Sequence, residues 1–262
     1  MQNLLFKSAR YTLGLGLFLL SLSACQQDLT CYRPIGPDTT RVLGVTNFTG
    51  VDLQIAGDVR ISRDTAWAVS VSGPEDLIDR LQTSVDNGIW KIDYDGCIWG
   101  SEKLSIDISM PELDYARIAG SGDIVLLDTF VTTSVSFIIS GSGNLTALMA
   151  ADEVSTRING SGDITLWTLA QTLSTEVNGS GDLLLRGLAD NHVVEVRGAG
   201  SIQAFDLQTL LTDISVSGSG QSEVWATQTL KVSISGSGDV HYIGTPAIDV
   251  RINGSGKVLD VN

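Results

Sequence analysis

The strongest constraint on the fold is a Gly-x-Gly frame that recurs eight times between residues 116 and 262. The first glycines of successive frames are separated by 21, 19, 19, 19, 20, 18 and 18 residues, and the frames contain 16 of the 28 glycines in the chain. Self-similarity at a nearly constant short period is the signature of a repeat architecture, so the sequence predicts an array of similar units. The frames begin at Gly120, Gly141, Gly160, Gly179, Gly198, Gly218, Gly236 and Gly254.

A strand-like pattern surrounds each frame. Apolar residues alternate with polar ones, as in Leu230-Lys231-Val232-Ser233-Ile234, and a period of two is typical of a strand with one buried face. An antiparallel meander would alternate two kinds of connection, whereas one kind recurs here at the full period. The pattern therefore favours an all-β fold, a single-stranded parallel β-helix (β-solenoid) with coils of about 19 residues. The residues two positions before the frames are all β-branched: Ile118, Ile139, Ile158, Val177, Val196, Val216, Ile234 and Ile252.

Each coil of this solenoid is expected to consist of a strand, a glycine corner, a second strand and a variable return of several residues. The frame glycines are expected to turn the chain through φ values that are closed to other residues. Ser222 interrupts the apolar alternation after the sixth frame, where we expect a small local shift. No coil is stable alone, so both ends of the array need capping.

Residues 42–115 lack the spaced frames but are rich in strand patterns. A short helix is predicted within residues 74–81 and a turn at Asn87-Gly88. Because no linker separates this part from the repeats, we interpret it as the irregular N-terminal capping region of the same solenoid. The predicted domain spans residues 42–262, with the regular repeats in residues 116–262.

The first residues have the composition of an export signal. Residues 1–24 contain two basic residues and then an uncharged apolar run over residues 11–22, which is shorter than the roughly 20 residues needed to span a bilayer. Leu22-Ser23-Ala24-Cys25 resembles the lipobox of bacterial lipoproteins, in which the cysteine is lipidated. The alternative is an ordinary signal peptide with a chance cysteine. Lipidated Cys25 would anchor the protein in a membrane through a flexible tether, residues 25–41. The residue after Cys25 is not Asp, which favours the outer membrane.

The charge and the cysteine count exclude some functions. The chain has 16 Lys and Arg against 30 Asp and Glu, a formal net charge of −14, which argues against a nucleic-acid partner. With two His and three Cys, a histidine- or cysteine-rich metal site is not expected. If Cys25 is acylated, Cys31 and Cys97 remain, and the exported compartment permits a disulfide between them. Two free thiols are the alternative.

Several segments together resemble a known family. Phe48-Thr49-Gly50-Val51-Asp52-Leu53, residues 85–92, residues 105–113 and the Ile-x-Gly-Ser-Gly-Asp repeats are similar to the putative auto-transporter adhesin head GIN domain. The resemblance covers roughly residues 42–260. It implies a right-handed parallel β-helix in an exported bacterial protein, often a lipoprotein. The family name implies adhesion, and the resemblance carries no catalytic residues.

A polar column follows the frames, and its carboxylates are candidate ligands. Asp is expected to cap the turn through its own backbone. The alternative is a bound calcium ion, for which Asp163 and Asp182 are the candidate ligands, because calcium accepts clustered oxygens. Apart from this alternative, no cofactor or metal is expected. The column consists of Asp123, Asn144, Asp163, Asp182, Ser201, Gln221, Asp239 and Lys257.

The remaining candidates are histidines and tryptophans. His192 and His241 fall in non-adjacent coils, and we interpret both as surface residues rather than catalytic bases. Trp167 and Trp225 stand beside inward positions, so we expect them to point outward or to lie at corners. There they either contact a ligand or pack against neighbouring loops.

The sequence favours a non-enzymatic cell-envelope lipoprotein, which acts as an adhesin-like binding module or a structural module for an extracellular glycan or protein. The alternative is a carbohydrate-active enzyme, a polysaccharide lyase or hydrolase, on the same scaffold. An enzyme of that kind needs an acid pair within catalytic reach, whereas the acids here fall at repeating corners.

Overall fold

The computed structural model describes residues 31–100 and 103–262, and these form one 18-stranded sheet wound into a β-solenoid of about eight turns. Helix α1 has only four residues, and the described part of the chain holds no apolar helix that could span a bilayer. The first half of the elements is β1 Asp38–Leu43, β2 Gly50–Leu53, β3 Gly57–Arg63, β4 Ala68–Pro74, α1 Glu75–Ile78, β5 Val85–Asp86, β6 Ile89–Ile92, β7 Leu104–Met110, β8 Tyr115–Ile118 and β9 Asp123–Leu126. The second half is β10 Phe130–Ile139, β11 Leu145–Ile158, β12 Ile164–Val177, β13 Leu183–Val196, β14 Ile202–Val216, β15 Ser222–Ile234, β16 Val240–Ile243, β17 Ala247–Ile252 and β18 Val258–Asp260.

The predicted parallel stacking of the repeats is confirmed. Strands β11, β12 and β13 pair in parallel, and the register aligns Ile158 with Val177 and Val177 with Val196. The β-branched column faces the interior and is at most 1% exposed in seven of its eight members. The eighth, Ile252, is 46% exposed because it belongs to the last coil, which no further coil covers among the described residues. One continuous apolar core therefore runs along the array.

The expectation of a variable return loop is wrong for the central coils. Strands β11, β12 and β13 each run without a break for 14 residues, from just after one frame to two residues before the next. The bend in the middle of each coil is itself paired, since Ala151 aligns with Ala170 and Ala170 with Ala189. Neighbouring coils of equal length offer hydrogen-bond partners at the bend as well, so the backbone stays in the ladder there.

The frame glycines have a different role from the one expected. None of them has a positive φ; the positive-φ glycines lie elsewhere in the chain. A Cβ built on Gly160 would overlap the carbonyl oxygen of Gly141, one coil before it. That oxygen accepts a hydrogen bond from the N–H of Ser161 at 3.0 Å. Glycine is therefore required by the close approach of the coils rather than by the turn conformation.

The register shift expected at Ser222 lies elsewhere. Ser222 is fully buried and aligns with Ile202 on one side and with Val240 on the other. The irregularities between β14 and β15 lie at the bend instead, between Ala204 and Gln208 and again between Thr209 and Leu211. Because the coil of β14 is longer than that of β15, the extra residues are absorbed where the chain bends.

The N-terminal part belongs to the same solenoid, but its coils are not stacked in chain order. Strand β2 pairs in parallel with both β6 and β8, and β3 pairs in parallel with both β7 and β9. The first coil is therefore held between the second and the third. Strand β4 lies antiparallel to β7, and β1 lies antiparallel to β4. These two antiparallel strands cover the open edge of the array, which is how a solenoid end is protected from pairing with another chain.

Residues 31–43 are packed against this cap, although residues 25–41 were expected to form a tether. Strand β1 already begins at Asp38. A disulfide joins Cys31 to Cys97. The Asp76 carboxylate accepts hydrogen bonds from the N–H groups of Ile35 and Gly36 and from the hydroxyl of Tyr32. These bonds, with the one from Ile35 as the largest cause, lower the pKa of Asp76. Cys25 and the export signal lie outside the described residues.

Candidate functional site

The polar column after the frames forms a ladder between coils. Five of its side chains, those of the four aspartates and of Asn144, accept hydrogen bonds from the backbone N–H of the equivalent residue in the next coil, not from their own turn as expected. One oxygen of each of these carboxylates is therefore bonded to the backbone of the next coil. Described residues contain no group of three or more His, Cys, Asp or Glu side chains placed to hold a metal ion, so Asp163 and Asp182 are not assembled into such a group. The bonds are Asn144 N to Asp123 Oδ1 (2.7 Å), Asp163 N to Asn144 Oδ1 (3.2 Å), Asp182 N to Asp163 Oδ1 (2.8 Å), Ser201 N to Asp182 Oδ1 (2.7 Å) and Lys257 N to Asp239 Oδ1 (2.7 Å).

A second polar ladder lies just before the frames. Asn178 donates to Asn159 Oδ1 and to Glu176 Oε1, both at 3.0 Å. Glu176 also accepts from Arg157 at 2.6 Å and from Arg197 at 2.5 Å. The hydrogen bond from Asn178, and then the arginines, lower the pKa of Glu176. An acid whose oxygens are occupied in this way holds neighbouring coils together and is not a free base for catalysis.

His192 lies in the core, so the interpretation of it as a surface residue is wrong. It is 1% exposed and aligns with Leu173 of the preceding coil. Its Nε2 lies 3.1 Å from Oγ1 of Thr175, while its Nδ1 has no partner among the described residues. Burial lowers the pKa of His192 to about 3. His241 lies apart from it on β16, with Nδ1 2.6 Å from Nε2 of Gln221.

The buried imidazole should make folding stability depend on pH. Because the pKa of His192 is about 3 in the folded state and ~6.5 when unfolded, only the unfolded chain binds this proton between these values. The contribution of His192 to the free energy of unfolding is therefore at its full value above pH 6.5. Between pH 6.5 and pH 3 it falls by about 1.4 kcal/mol for each pH unit. Urea unfolding at pH 7 and pH 5 should therefore show wild type losing ~2 kcal/mol more than His192→Leu, whose side chain matches Leu173. Equal losses in the two proteins would contradict this account.

An exposed apolar patch covers the outer face of four coils near the bend. We define the apolar patch as five side chains that are between 37% and 59% exposed. Outward positions of a soluble solenoid are normally polar, and clustered exposed apolar side chains mark interaction surfaces. This group is therefore the best candidate for a contact site. The apolar patch consists of Leu127, Val131, Trp167, Leu169 and Leu188.

The register of the coils explains why these residues meet. Val131 aligns with Ala150, Ala150 with Leu169, and Leu169 with Leu188, which makes one apolar column across β10 to β13. Trp167 stands two residues before Leu169 on the same outward face of β12, and its register neighbour in β11 is Leu148. Continuing the register of β9 and β11 by two positions places Leu127 on the other side of Leu148. The column ends where Leu188 aligns with Gln208.

Trp167 is held at the rim of the apolar patch. The guanidinium of Arg186 lies over its ring, 5.2 Å from the ring centre, which is within the range of a cation–π contact. Arg186 in turn pairs with Asp206 at 3.3 Å. This arrangement orders the indole and gives the patch a charged border on one side.

The second candidate tryptophan is not part of the patch. Trp225 is half-buried on β15 and aligns with Gln208 and Ile243, so the polar Gln208 separates it from Leu188 of the patch. The sequence suggested both tryptophans and missed the leucines and Val131. A comparison of outward residues one coil length apart in the sequence would have found the column, since positions 131, 150, 169 and 188 are 19 residues apart.

Solved structures share this architecture. A crystal structure described as a putative lipid binding protein from Parabacteroides distasonis ATCC 8503 is 27% identical, with a TM-score of 0.83 over 88% of this chain and 99% of that chain. A putative adhesin from the same strain is 21% identical, with a TM-score of 0.82 over 87% and 99% of the two chains. A putative adhesin from Parabacteroides merdae ATCC 43184 is 16% identical, with a TM-score of 0.84 over 88% and 99%.

The family assignment rests on the sequence as well as on the fold. No curated protein matches the chain. The sequence profile described as "Putative auto-transporter adhesin, head GIN domain" matches residues 47–184 and 158–246. These two overlapping matches cover most of the solenoid, including seven of the eight glycine frames. The chain therefore belongs to the family of putative auto-transporter adhesin head GIN domains.

Proposed function

We propose that this protein is a non-enzymatic, envelope-anchored binding module that contacts its partner through the apolar patch. The observation that carries the proposal is the patch itself, five large apolar side chains exposed on neighbouring coils. The relatives described as putative adhesins support the same kind of function. The repeats hold the patch on paired strands, so it is presented as a rigid surface.

The chemistry of the apolar patch favours a protein partner over a glycan. Sugars are recognised by aromatic faces combined with several hydrogen-bonding groups. The patch has one indole, already contacted by Arg186, and four aliphatic side chains. Protein interfaces, in contrast, are built around apolar anchors with a polar rim. A lipid surface is a second candidate, because the relative with 27% identity is described as lipid binding.

A binding screen with matched variants tests the proposal. The full chain is presented to extracellular-matrix proteins, a glycan array and phospholipid vesicles. We expect binding to a matrix protein, and we expect Leu169→Ser/Leu188→Ser to weaken it about tenfold or more, since buried apolar anchors carry most interface energy. Val193→Ser is the control, because Val193 is 49% exposed but lies outside the patch.

Three results would contradict the proposed function. One is equal loss of binding in the patch variant and the Val193→Ser control. Another is binding confined to glycans or vesicles, which would assign a different partner. The third is cleavage of any polysaccharide in the glycan arm, detected as new chain ends. That result would favour the enzymatic alternative.

The anchoring part of the proposal concerns Cys25, with the outer membrane as the expected location. Cys25→Ser should prevent lipidation and move the protein from the membrane fraction to the soluble fraction, because the several acyl chains of a lipoprotein are what hold it there. Fractionation of cells that express the full chain, with an antibody to the solenoid, measures this. Val193→Ser should stay in the membrane fraction. A mature Cys25→Ser protein that still sediments with membranes would contradict the lipid anchor.

A further inference from the structure

The C-terminal coil that the structure describes has an apolar face that no other described residues cover. Ile248, Val250 and Ile252 of β17 are 45%, 39% and 46% exposed, respectively. Their register partners in β15 are Leu230, Val232 and Ile234, and all three are buried. Within the described residues β17 pairs with β15 alone, so its other edge has no strand beside it. The end of the core is therefore open here, in contrast to the N-terminal end, which β1 and β4 cover.

The free edge of β17 carries hydrogen-bonding groups that face away from the array. The N–H of Asn253 donates to the carbonyl of Ile234 in β15 at 2.7 Å. Because the direction of the backbone amides alternates along a strand, residues 249 and 251 also face β15. The N–H and C=O groups of Ile248, Val250 and Ile252 consequently point to the free edge. Such a row is a template for another strand.

We propose that the partner at this edge is a second copy of the chain, joined through antiparallel pairing of β17 with β17 about a two-fold axis at Val250. In this register Val250 lies opposite Val250 of the second copy, and Ile248 lies opposite its Ile252. These pairs exchange backbone hydrogen bonds and join the two apolar cores end to end. Asp249 lies opposite Arg251 of the second copy, and the two-fold axis creates this ion pair twice.

Charge selects this register over its neighbours. A strand can slip only by an even number of positions if inward side chains are to stay inward. Centring the axis on Asp249 would place that carboxylate opposite its own copy, and centring it on Arg251 would do the same with the guanidinium. Like charges directly opposite each other destabilise a strand pair, whereas opposite charges stabilise it. The sequence Ile248-Asp249-Val250-Arg251-Ile252 is thus self-complementary about Val250.

The ion pairs also continue a pattern already present inside the array. On the outer face, Asp213 aligns with Lys231 and Lys231 aligns with Asp249. The charges alternate along this row, and Arg251 of the second copy would supply the next positive charge. Because the two N-terminal ends then point outward and are capped, the assembly closes as a dimer and does not extend into a filament.

Charge reversal with rescue tests the dimer directly. The full chain is purified in a non-ionic detergent, and light scattering gives the protein mass over a concentration series. We expect wild type to show twice the mass of one chain. Asp249→Arg and Arg251→Asp should each raise the dissociation constant about tenfold, because both ion pairs become like-charge pairs. The double variant Asp249→Arg/Arg251→Asp should restore the wild-type constant.

The control is Asp190→Arg, a reversal at an exposed position in the middle of β13, which should leave the dimer unchanged. Thermal unfolding of every variant shows whether the fold is intact. A monomeric wild type, expected if something other than a second copy covers β17, would overturn the proposal. Masses above a dimer, single reversals without effect, or a double variant as weak as the single ones would also overturn it. None of these results depends on the apolar patch, so this test and the binding screen fail independently.

Discussion

Replacing Gly179 with alanine is expected to disrupt the array at its centre. A Cβ on Gly179 would overlap the carbonyl oxygen of Gly160 and would lie 2.9 Å from the carbonyl carbon of that residue. Both atoms belong to the backbone, so no side-chain rotation relieves the overlap. The same oxygen accepts the N–H of Ser180 at 3.0 Å, and moving the coils apart would break this bond. Overpacking usually costs about 1–3 kcal/mol, and we expect at least the upper value here.

Thermal unfolding followed by circular dichroism measures this effect. A loss of about 3 kcal/mol corresponds to a fall in Tm of roughly 10 °C in a chain of this size. Ser180→Ala is the matched control, because the middle residue of a frame is exposed and Ala199 already occupies it in the fifth frame. It should unfold like wild type. If Gly179→Ala were as stable as Ser180→Ala, close packing of the coils would not be the reason for the glycines.

Val177→Asp is the second substitution with a large expected effect. Val177 is fully buried, and its register neighbours along the core column are Ile158 and Val196. An ionised carboxylate at this point would have no cation or donor beside it. Burying an unpaired charge, or neutralising it against its normal pKa, costs several kcal/mol, and we expect a loss of about 4 kcal/mol or failure to fold.

The control for this substitution lies three residues away on the same strand. Ser174 faces outward and is exposed, so Ser174→Asp adds the same charge to the surface and should change stability by less than about 0.5 kcal/mol. Denaturant unfolding of both variants gives the comparison, and hydrogen exchange shows whether melting begins in the central coils. A Val177→Asp protein with the stability of Ser174→Asp would mean that the β-branched column is not the core.

These two substitutions show how the structural and the functional positions are divided. The inward columns and the frame glycines hold the coils together, and the polar ladders at positions such as Asp182 and Asn178 connect them at the corners. The outward positions near the bend make few of these contacts between coils. They hold Trp167, Leu169 and the rest of the apolar patch, which are not part of the buried core.

Much of the fold could be predicted because its signals are local and repeated. The glycine period determines the coil length, and the β-branched residue before each frame determines which face is inward. Both signals occur eight times, so single exceptions such as Ser222 do not obscure them. Parallel stacking follows, since identical units at one period are in register only when each lies directly on the next.

The candidate site could be predicted only in part, because its members are distant along the chain. Trp167 was identified from its place beside an inward residue. The leucines beside it were not identified. A single exposed leucine in one coil does not indicate a site until the register shows that it lies next to another. The sequence likewise suggested that His192 was a surface residue, because its place beside an apolar pair at Val193-Val194 does not show which side chain turns inward at the bend.

The sequence by itself determined the repeat length, the inward column, the parallel stacking and the family. The tertiary structure alone decided the order of the N-terminal coils, with β2 and β3 held between later strands. It also decided the reason for the glycines, the burial of His192 and the open edge at β17. The first group depends on periodicity within a few residues of each frame. The second group depends on which backbone segments of different coils lie close to each other. The sequence of a single repeat does not show the distance between such segments.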